Sequence, residues 1–270
     1  MKIKNRFLRA FFNRCFGEFI FEQVYKYARW KKFAVSISFD VDSREDHKKI
    51  PEILDFASSY DKIKFDFAVV GKWVEQYPKI YKRIVDEGHG LLNHTYSHPN
   101  HEELNPRYWK QLNRKEQLYE ITKCHEVVKK ITGFKMKGFR LPHFGSQFDV
   151  SLYPLLIEAG YSFSSSCLAV DAEKPYPYKT KEGIIEFPIA ICPKHPFTAF
   201  DTYHSFRRGG HSENEFDNLF NHLTDLFKKE DLHLNLYFDP CDIKERNLIN
   251  LKIENTKKLE QLLKRSNYSK

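Results

Sequence analysis

The stretch GLLNHTYSHPNHEEL, Gly90 to Leu104, places three histidines within eight residues: His94, His98 and His101. His94 and His98 are four apart, and on a helical turn both imidazoles would share one face, close enough to grip one ion. That spacing recurs by chance, so its meaning depends on carboxylates elsewhere in the chain. The run SFDVD supplies two, Asp40 and Asp42. At the end of a β-strand, side chains two apart point to the same side, so both carboxylates face one place. A carboxylate pair beside two imidazoles allows a division of labour in which one group ligates and the other takes protons. Asp42, His94 and His98 would be three protein ligands that leave a position open for water, the arrangement of a catalytic rather than a structural zinc site. His101 falls outside the four-residue spacing and reads as a loop residue. His47, close behind the first strand, reads as solvent-exposed.

The elements that must position these groups follow from short β-rich runs alternating with helical stretches, the layout of parallel strands joined by crossover helices. Strands are expected over Phe33–Phe39, Lys64–Val70 and near His89–Leu92, then within KGFRL, YSFSSS, GIIEFPI and LHLNLYF. Helices are expected over Lys48–Ser59, Tyr77–Asp86, about Pro106–Ile131 with a stop at Gly133, Val150–Ala159 and Glu213–Lys229, with a last one near Ile253–Lys264. The pattern predicts an α/β fold in which the carboxylates sit at the C-terminal end of a barrel strand, the end that carries chemistry in parallel barrels. Val170–Gly183 and Cys192–His211 read as long loops of the kind that line a binding face. No internal repeat or low-complexity linker divides the 270 residues, so residues 31–270 read as one barrel domain preceded by a separate segment, residues 1–30.

That first segment interrupts its apolar run with Arg9, Asn13, Arg14 and Glu18, too often for a signal or membrane span. Wound as a helix it carries Phe7, Leu8, Phe11, Phe12, Phe16, Phe19 and Ile20 in a stripe flanked by basic residues. Such a stripe suits either packing across the barrel or lying on an anionic bilayer surface. The net charge of +8 admits an anionic partner. Lys and Arg are nevertheless spread without a dense run or a nucleic-acid motif, which argues against nucleic acid. The five cysteines, Cys15, Cys124, Cys167, Cys192 and Cys241, form no C-x-x-C pair. They argue against a disulfide framework or a zinc ribbon and read as packing residues in a reducing compartment.

In order along the chain, FDVD, NHTYSH and GFRLP resemble the first three motifs of the polysaccharide deacetylase family, the NodB-homology metal-dependent amidohydrolases. The resemblance runs from about Phe33 to Ile243. It implies a distorted (β/α) barrel of about seven parallel strands, one divalent metal ion, Zn²⁺ or a similar ion such as Co²⁺, and removal of an acyl group from an N-acylated sugar. Carried over residue by residue, it makes Asp40 the general base and Asp42, His94 and His98 the metal ligands. Thr95 would steady the turn between the histidines, and Arg140 would orient the base. His143 would offer its backbone N–H to the developing oxyanion, although family members commonly carry an aromatic residue there.

Two departures bear on turnover. Many members end a late strand in a histidine followed by proline and use that histidine as the acid; LYFDPCDI puts Asp239 there, before Pro240. Either Asp239 keeps a proton through burial or a neighbouring carboxylate, or His233, His143 or His211 substitutes, or hydrolytic power is lost. The family's fourth motif has at best a loose counterpart in Asp171. FRRGGH, with Arg207, Arg208 and His211, reads either as a phosphate-binding element or as a solvated loop. The expected protein is therefore a cytoplasmic sugar N-deacetylase, free or peripheral to the membrane, on a nucleotide- or lipid-linked precursor of a surface polysaccharide. The competing readings are a hydrolase of another amide or formyl group, and a metal- or carbohydrate-binding barrel without turnover.

Overall fold

A computed structural model describes residues 5–60 and 63–243, so the helix expected near Ile253–Lys264 lies outside the described residues. Among the described residues seven strands run parallel: β1 (Ala34–Val41), β2 (Asp66–Val69), β3 (Gly90–Asn93), β4 (Gly138–Phe139), β5 (Phe163–Ser164), β7 (Ile185–Glu186) and β8 (His233–Phe238). An eighth, β6 (Tyr178–Lys179), pairs antiparallel with β7 inside a stretch expected to be loop. The order across the sheet is β6-β7-β5-β4-β3-β2-β1-β8. Past β7, Ala190 N donates to Asn235 O (2.9 Å) and Asn235 Nδ2 donates to Phe187 O (2.8 Å). The two margins of the curled sheet thus meet around a distorted (β/α) barrel.

β1 shows why this sequence makes a barrel strand. Val35, Ile37, Phe39 and Val41 join the large core beneath the helices, while Ala34, Ser36, Ser38 and Asp40 alternate with them on the opposite face. Every residue of the strand is buried. The inner face is therefore polar and enclosed. At one end Ala34, Ala68, Leu92, Phe163, Ile185 and Phe187 form an apolar plug. Towards the C-terminal ends of the strands the interior turns polar.

The helices are α1 (Arg6–Tyr25), α2 (Arg44–Ser58), α3 (Gly71–Gln76), α4 (Pro78–Asp86), α5 (Arg114–Thr132), α6 (Phe144–Gln147), α7 (Leu152–Glu158) and α8 (Glu213–Lys229). Two starts differ from expectation, and capping explains both. α2 begins four residues early because Ser43 and Asp46 form a reciprocal capping box. α5 begins late because Asn113 and Glu116 do the same, leaving Trp109–Gln111 as a 3₁₀ turn.

α1 divides its surface. Phe21 and Tyr25 are buried, with Tyr25 edge-on to Phe227 of α8 at 4.9 Å. Gly17 lies against the Lys194 carbonyl, where a Cβ would come within 2.0 Å of the oxygen, so glycine permits this approach. Asn13 Oδ1 accepts from Phe197 N (3.1 Å), and Arg9 Nη2 donates to Asp171 Oδ1 (2.7 Å). Asp171 is thus a docking partner of α1. Phe7, Leu8, Phe11, Phe16 and Phe19 remain exposed.

Candidate active site

The chain leaves β1 through Asp40 and Asp42, and β3 through His94. Trp73 Nε1 holds the Asp42 carbonyl (2.8 Å), and Asp46 Oδ2 accepts from the backbone N–H groups of Asp42 (3.1 Å) and Ser43 (2.7 Å). The same carboxylate that caps α2 therefore fixes the strand exit. Asp42 Oδ1 stands 3.2 Å from His94 Nε2 and 3.3 Å from His98 Nε2. Desolvation works to raise the pKa of Asp42, but the imidazoles of His98 and His94 outweigh it and hold the carboxyl well below its usual range.

The histidines converge through a turn, not a helix. Thr95 (φ 68°), His98 (φ 51°) and Asn100 (φ 71°) all take left-handed backbone conformations, which store strain. Thr95 Oγ1 accepts from His98 N (3.0 Å), as expected of a residue that steadies this turn. Three side chains missed in the sequence complete the support. Asn93 Oδ1 accepts from Thr95 N (2.8 Å), and buried Glu120 on α5 accepts from both Ser97 N (2.7 Å) and Ser97 Oγ (2.5 Å). Sequence offered no signal for Glu120, because its partner lies 23 residues away.

His94 Nδ1 lies 2.8 Å from the Arg140 carbonyl. A carbonyl only accepts, so Nδ1 carries the hydrogen and Nε2 presents its lone pair towards Asp42 and His98. Asp42 Oδ1 and both ring nitrogens of His98 are buried without a hydrogen-bond partner. Buried polar atoms are normally paired, so this donor set fits a divalent cation. One carboxylate and two imidazoles suit zinc with a position left over.

Arg140 is fully buried and binds by geometry. Nη1 donates to Asp40 Oδ1 and to Ser38 Oγ (2.7 Å each), Nη2 to Ser165 Oγ (2.8 Å) and Nε to Ser165 O (3.1 Å). Its guanidinium lies 5.3 Å from the Tyr237 ring centroid. The Tyr237 hydroxyl donates to Asp201 Oδ2 (3.1 Å), a buried carboxyl pushed up to about 7 chiefly by desolvation. Asp201 had no motif to announce it.

Asp239 follows β8 as Asp40 follows Phe39 on β1, since Phe39 and Phe238 are register partners. Burial raises its pKa well above the usual carboxylate value; the charges of Asp42 and Asp46 add to this, and Arg207 opposes it. Arg207 donates to Asp239 through Nη2 and to Asp242 Oδ2 through Nε (2.8 Å). That engagement removes Arg207 from the phosphate-binding reading of its stretch.

The remaining histidines separate. His143 (φ 51°) stands exposed at the rim with its ring 5.0 Å from that of His98. His101 is a loop residue whose Nδ1 accepts from Glu103 N and Leu104 N. His47 is buried, not exposed: it stacks on Tyr77 at 4.0 Å, and its nitrogens meet Ser43 O (2.8 Å) and the Tyr81 hydroxyl (2.7 Å). His233 begins β8 opposite Ala34, beside the apolar plug, and so cannot serve as the acid. His211 belongs to a different cluster.

Comparison with known proteins agrees with this architecture. The fold is similar to a structure from Mycobacterium smegmatis described as a polysaccharide deacetylase, with TM-score 0.70 and 16% identity over 87% of this chain and 90% of that one. It is also similar to a carbohydrate esterase family 4 pseudoenzyme from Bacillus anthracis, with TM-score 0.52 and 18% identity over 82% of this chain and 58% of that one. Residues 28–163 match the family model for polysaccharide deacetylase, and the chain belongs to that family. Among curated relatives, it is 34% identical over 128 residues to a peptidoglycan-N-acetylglucosamine deacetylase of Bacillus cereus, covering 46% of this chain and 42% of that protein. It is 32% identical over 94 residues to a peptidoglycan-N-acetylmuramic acid deacetylase of Bacillus subtilis, covering 35% of this chain and 18% of that protein. The chain spans less than half the length of these curated relatives.

Proposed function

We propose that this protein is a metal-dependent hydrolase that removes the N-acetyl group from an amino sugar. The observation that carries the reading is the meeting of Asp42 Oδ1 with the Nε2 atoms of His94 and His98, beside Asp40 held by a buried Arg140, in a chain of the deacetylase family. A divalent ion, best zinc, bound by Asp42, His94 and His98 would supply charge for the acyl carbonyl and acidify a water near neutral pH. Asp40 would take the proton from the attacking water, with Arg140 orienting it through the Nη1 to Oδ1 hydrogen bond. The His143 backbone N–H would face the developing oxyanion. Asp239 would deliver a proton to the departing amine, which must be protonated to leave.

The test is metal content and acetate release from N-acetylglucosamine oligomers by the purified full chain. Asp42→Ala and His98→Ala should each lose one equivalent of metal relative to the parent and release acetate only at background rate. Full metal content in both variants would refute the ligand assignment. The replacement of histidine by Asp239 favours one second reading, a barrel that binds metal and sugar without turnover. Metal loss in the variants with no acetate release by the parent on any N-acylated sugar would favour it.

We further place the protein at the cytoplasmic face of a membrane, on a lipid- or nucleotide-linked precursor of a surface polysaccharide. The support is α1, which docks through Phe21 and Tyr25 yet leaves Phe7, Leu8, Phe11, Phe16 and Phe19 exposed among basic residues. Among the described residues no helix is long and apolar enough to cross a membrane, so contact would be interfacial. The full chain should sediment with anionic liposomes and be released by salt, and Phe7→Ser with Phe11→Ser should abolish this. Equal sedimentation of that double variant would refute the assignment.

A further inference from the structure

A second group of ligand-type side chains lies away from the candidate active site. Cys192, His195, His204 and His211 bring one sulfur and three ring nitrogens within 4.8 Å of one another. Cys192 Sγ is 3.1 Å from His211 Nε2 and 3.8 Å from His195 Nδ1, and His195 Nδ1 is 2.9 Å from His204 Nε2. Zinc at about 2.3 Å from sulfur and about 2.0 Å from nitrogen needs neighbours roughly 3.3 to 3.6 Å apart, so small movements of these atoms complete a tetrahedron.

The backbone is shaped to present this set. Cys192 N donates to Thr198 O (3.0 Å) and Thr198 N to His195 O (2.8 Å), which folds residues 192–198 into a tight turn. Within it the N–H groups of Lys194 and His195 point at the Cys192 sulfur, while burial outweighs them and pushes the free thiol up to about 11. His204 projects from a π-helical turn, Tyr203–Arg207. Gly210 makes room for it, since a Cβ there would lie 2.7 Å from His204 Nε2. His211 immediately precedes Ser212, the N-cap of α8. Its side chain is fully enclosed, and its Nδ1 is buried without a hydrogen-bond partner, 3.5 Å from Glu215 Oε2. Nε2 faces the sulfur while the opposite nitrogen faces a carboxylate, the arrangement that orients metal-bound histidines.

We propose that Cys192, His195, His204 and His211 form a structural zinc site, distinct from the Asp42, His94, His98 centre. Four protein ligands close the coordination sphere and leave no place for substrate. The ion would staple the turn at 192–198 to the loop carrying Asp201 and to the start of α8. Two contacts of that loop reach the candidate active site: His204 N donates to Asp201 Oδ1 (2.6 Å), and Thr202 Oγ1 accepts from Asp239 N (3.0 Å). The same turn receives α1 through Lys194, Pro196 and Phe197. Binding would displace the thiol proton to solvent.

Cobalt(II) separates the two centres, because only this one contains sulfur. The full chain, stripped with chelator and titrated with cobalt, should develop a near-ultraviolet thiolate-to-cobalt charge-transfer band that is complete by about two equivalents, one for each centre. Asp42→Asn should keep the band, while Cys192→Ser and His204→Gln should lose it, each with one fewer equivalent of zinc as purified. If Cys192→Ser does not fold, the parent band and His204→Gln still decide the matter. No band in the parent at saturating cobalt, or an undiminished band in Cys192→Ser or His204→Gln, overturns the site. A band with no acetate release would refute the proposed activity alone; acetate release without a band would refute this site alone.

Discussion

In the proposed mechanism turnover depends on Asp239. A carboxyl with an ordinary pKa is ionised at neutral pH and cannot protonate an amine, but burial and the nearby carboxylates of Asp42 and Asp46 push this one up. Asp239→Asn should lower kcat by about 10²- to 10⁴-fold, the usual weight of general acid catalysis, with metal content unchanged. Unchanged kcat would eliminate the role. If the protonated form is the acid, activity should fall as pH rises through the Asp239 pKa. Arg207 holds that pKa down, so Arg207→Ala should move the alkaline limb of the kcat profile to higher pH. At this scale the sequence was most informative where a group and its neighbours share a strand exit: Asp40 with Asp42, and His94 with His98. Residues whose partners lie far along the chain, such as Glu120 and Asp201, gave no sign.

The element that shapes the candidate metal centre is the loop from His94 to Asn100, and its shape is imposed from outside. Left-handed backbone at Thr95, His98 and Asn100 persists only where surroundings overdetermine it. Asn93 and Glu120 provide that constraint, Glu120 from the middle of α5. Glu120→Gln keeps the volume but turns one of the two acceptor oxygens that hold Ser97 into a donor. Zinc affinity, read by chelator competition, should fall about 10- to 100-fold, as for other outer partners of metal ligands. Unaltered affinity would mean that the loop holds its own shape. The helical spacing of His94 and His98 picked out two rings that the structure does bring together, but through a strained turn and not a helix. Capping boxes at Ser43 and Asn113 moved two helix starts because hydrogen bonds at the ends, not apolar periodicity, decide where a helix begins.

Across the whole molecule the barrel interior is layered, apolar at one end and polar at the other, and His233 marks the boundary. It is buried, meets Ser36 Oγ through Nε2 (2.9 Å) and packs against Trp30 and Phe187. Desolvation lowers its pKa from 6.5 to about 3. Between those values the unfolded chain binds a proton that the folded chain does not, so stability is full above pH 6.5 and falls as pH drops. The contribution is on the order of 5 kcal/mol as an upper bound. His233→Gln should flatten the dependence of unfolding free energy on pH between 6.5 and 4, measured by denaturant titration; an unaltered slope would assign acid sensitivity elsewhere. The sequence by itself determined the parallel α/β barrel, its parallel strands and the candidate ligand set of Asp42, His94 and His98, because alternation and short motifs at strand ends are local properties. Only the tertiary structure decided which polar groups share the enclosed interior, that His47 is buried, and that Cys192 meets three histidines. Those contacts join residues brought together by barrel closure, and closure is a property of the whole sheet that no local stretch encodes.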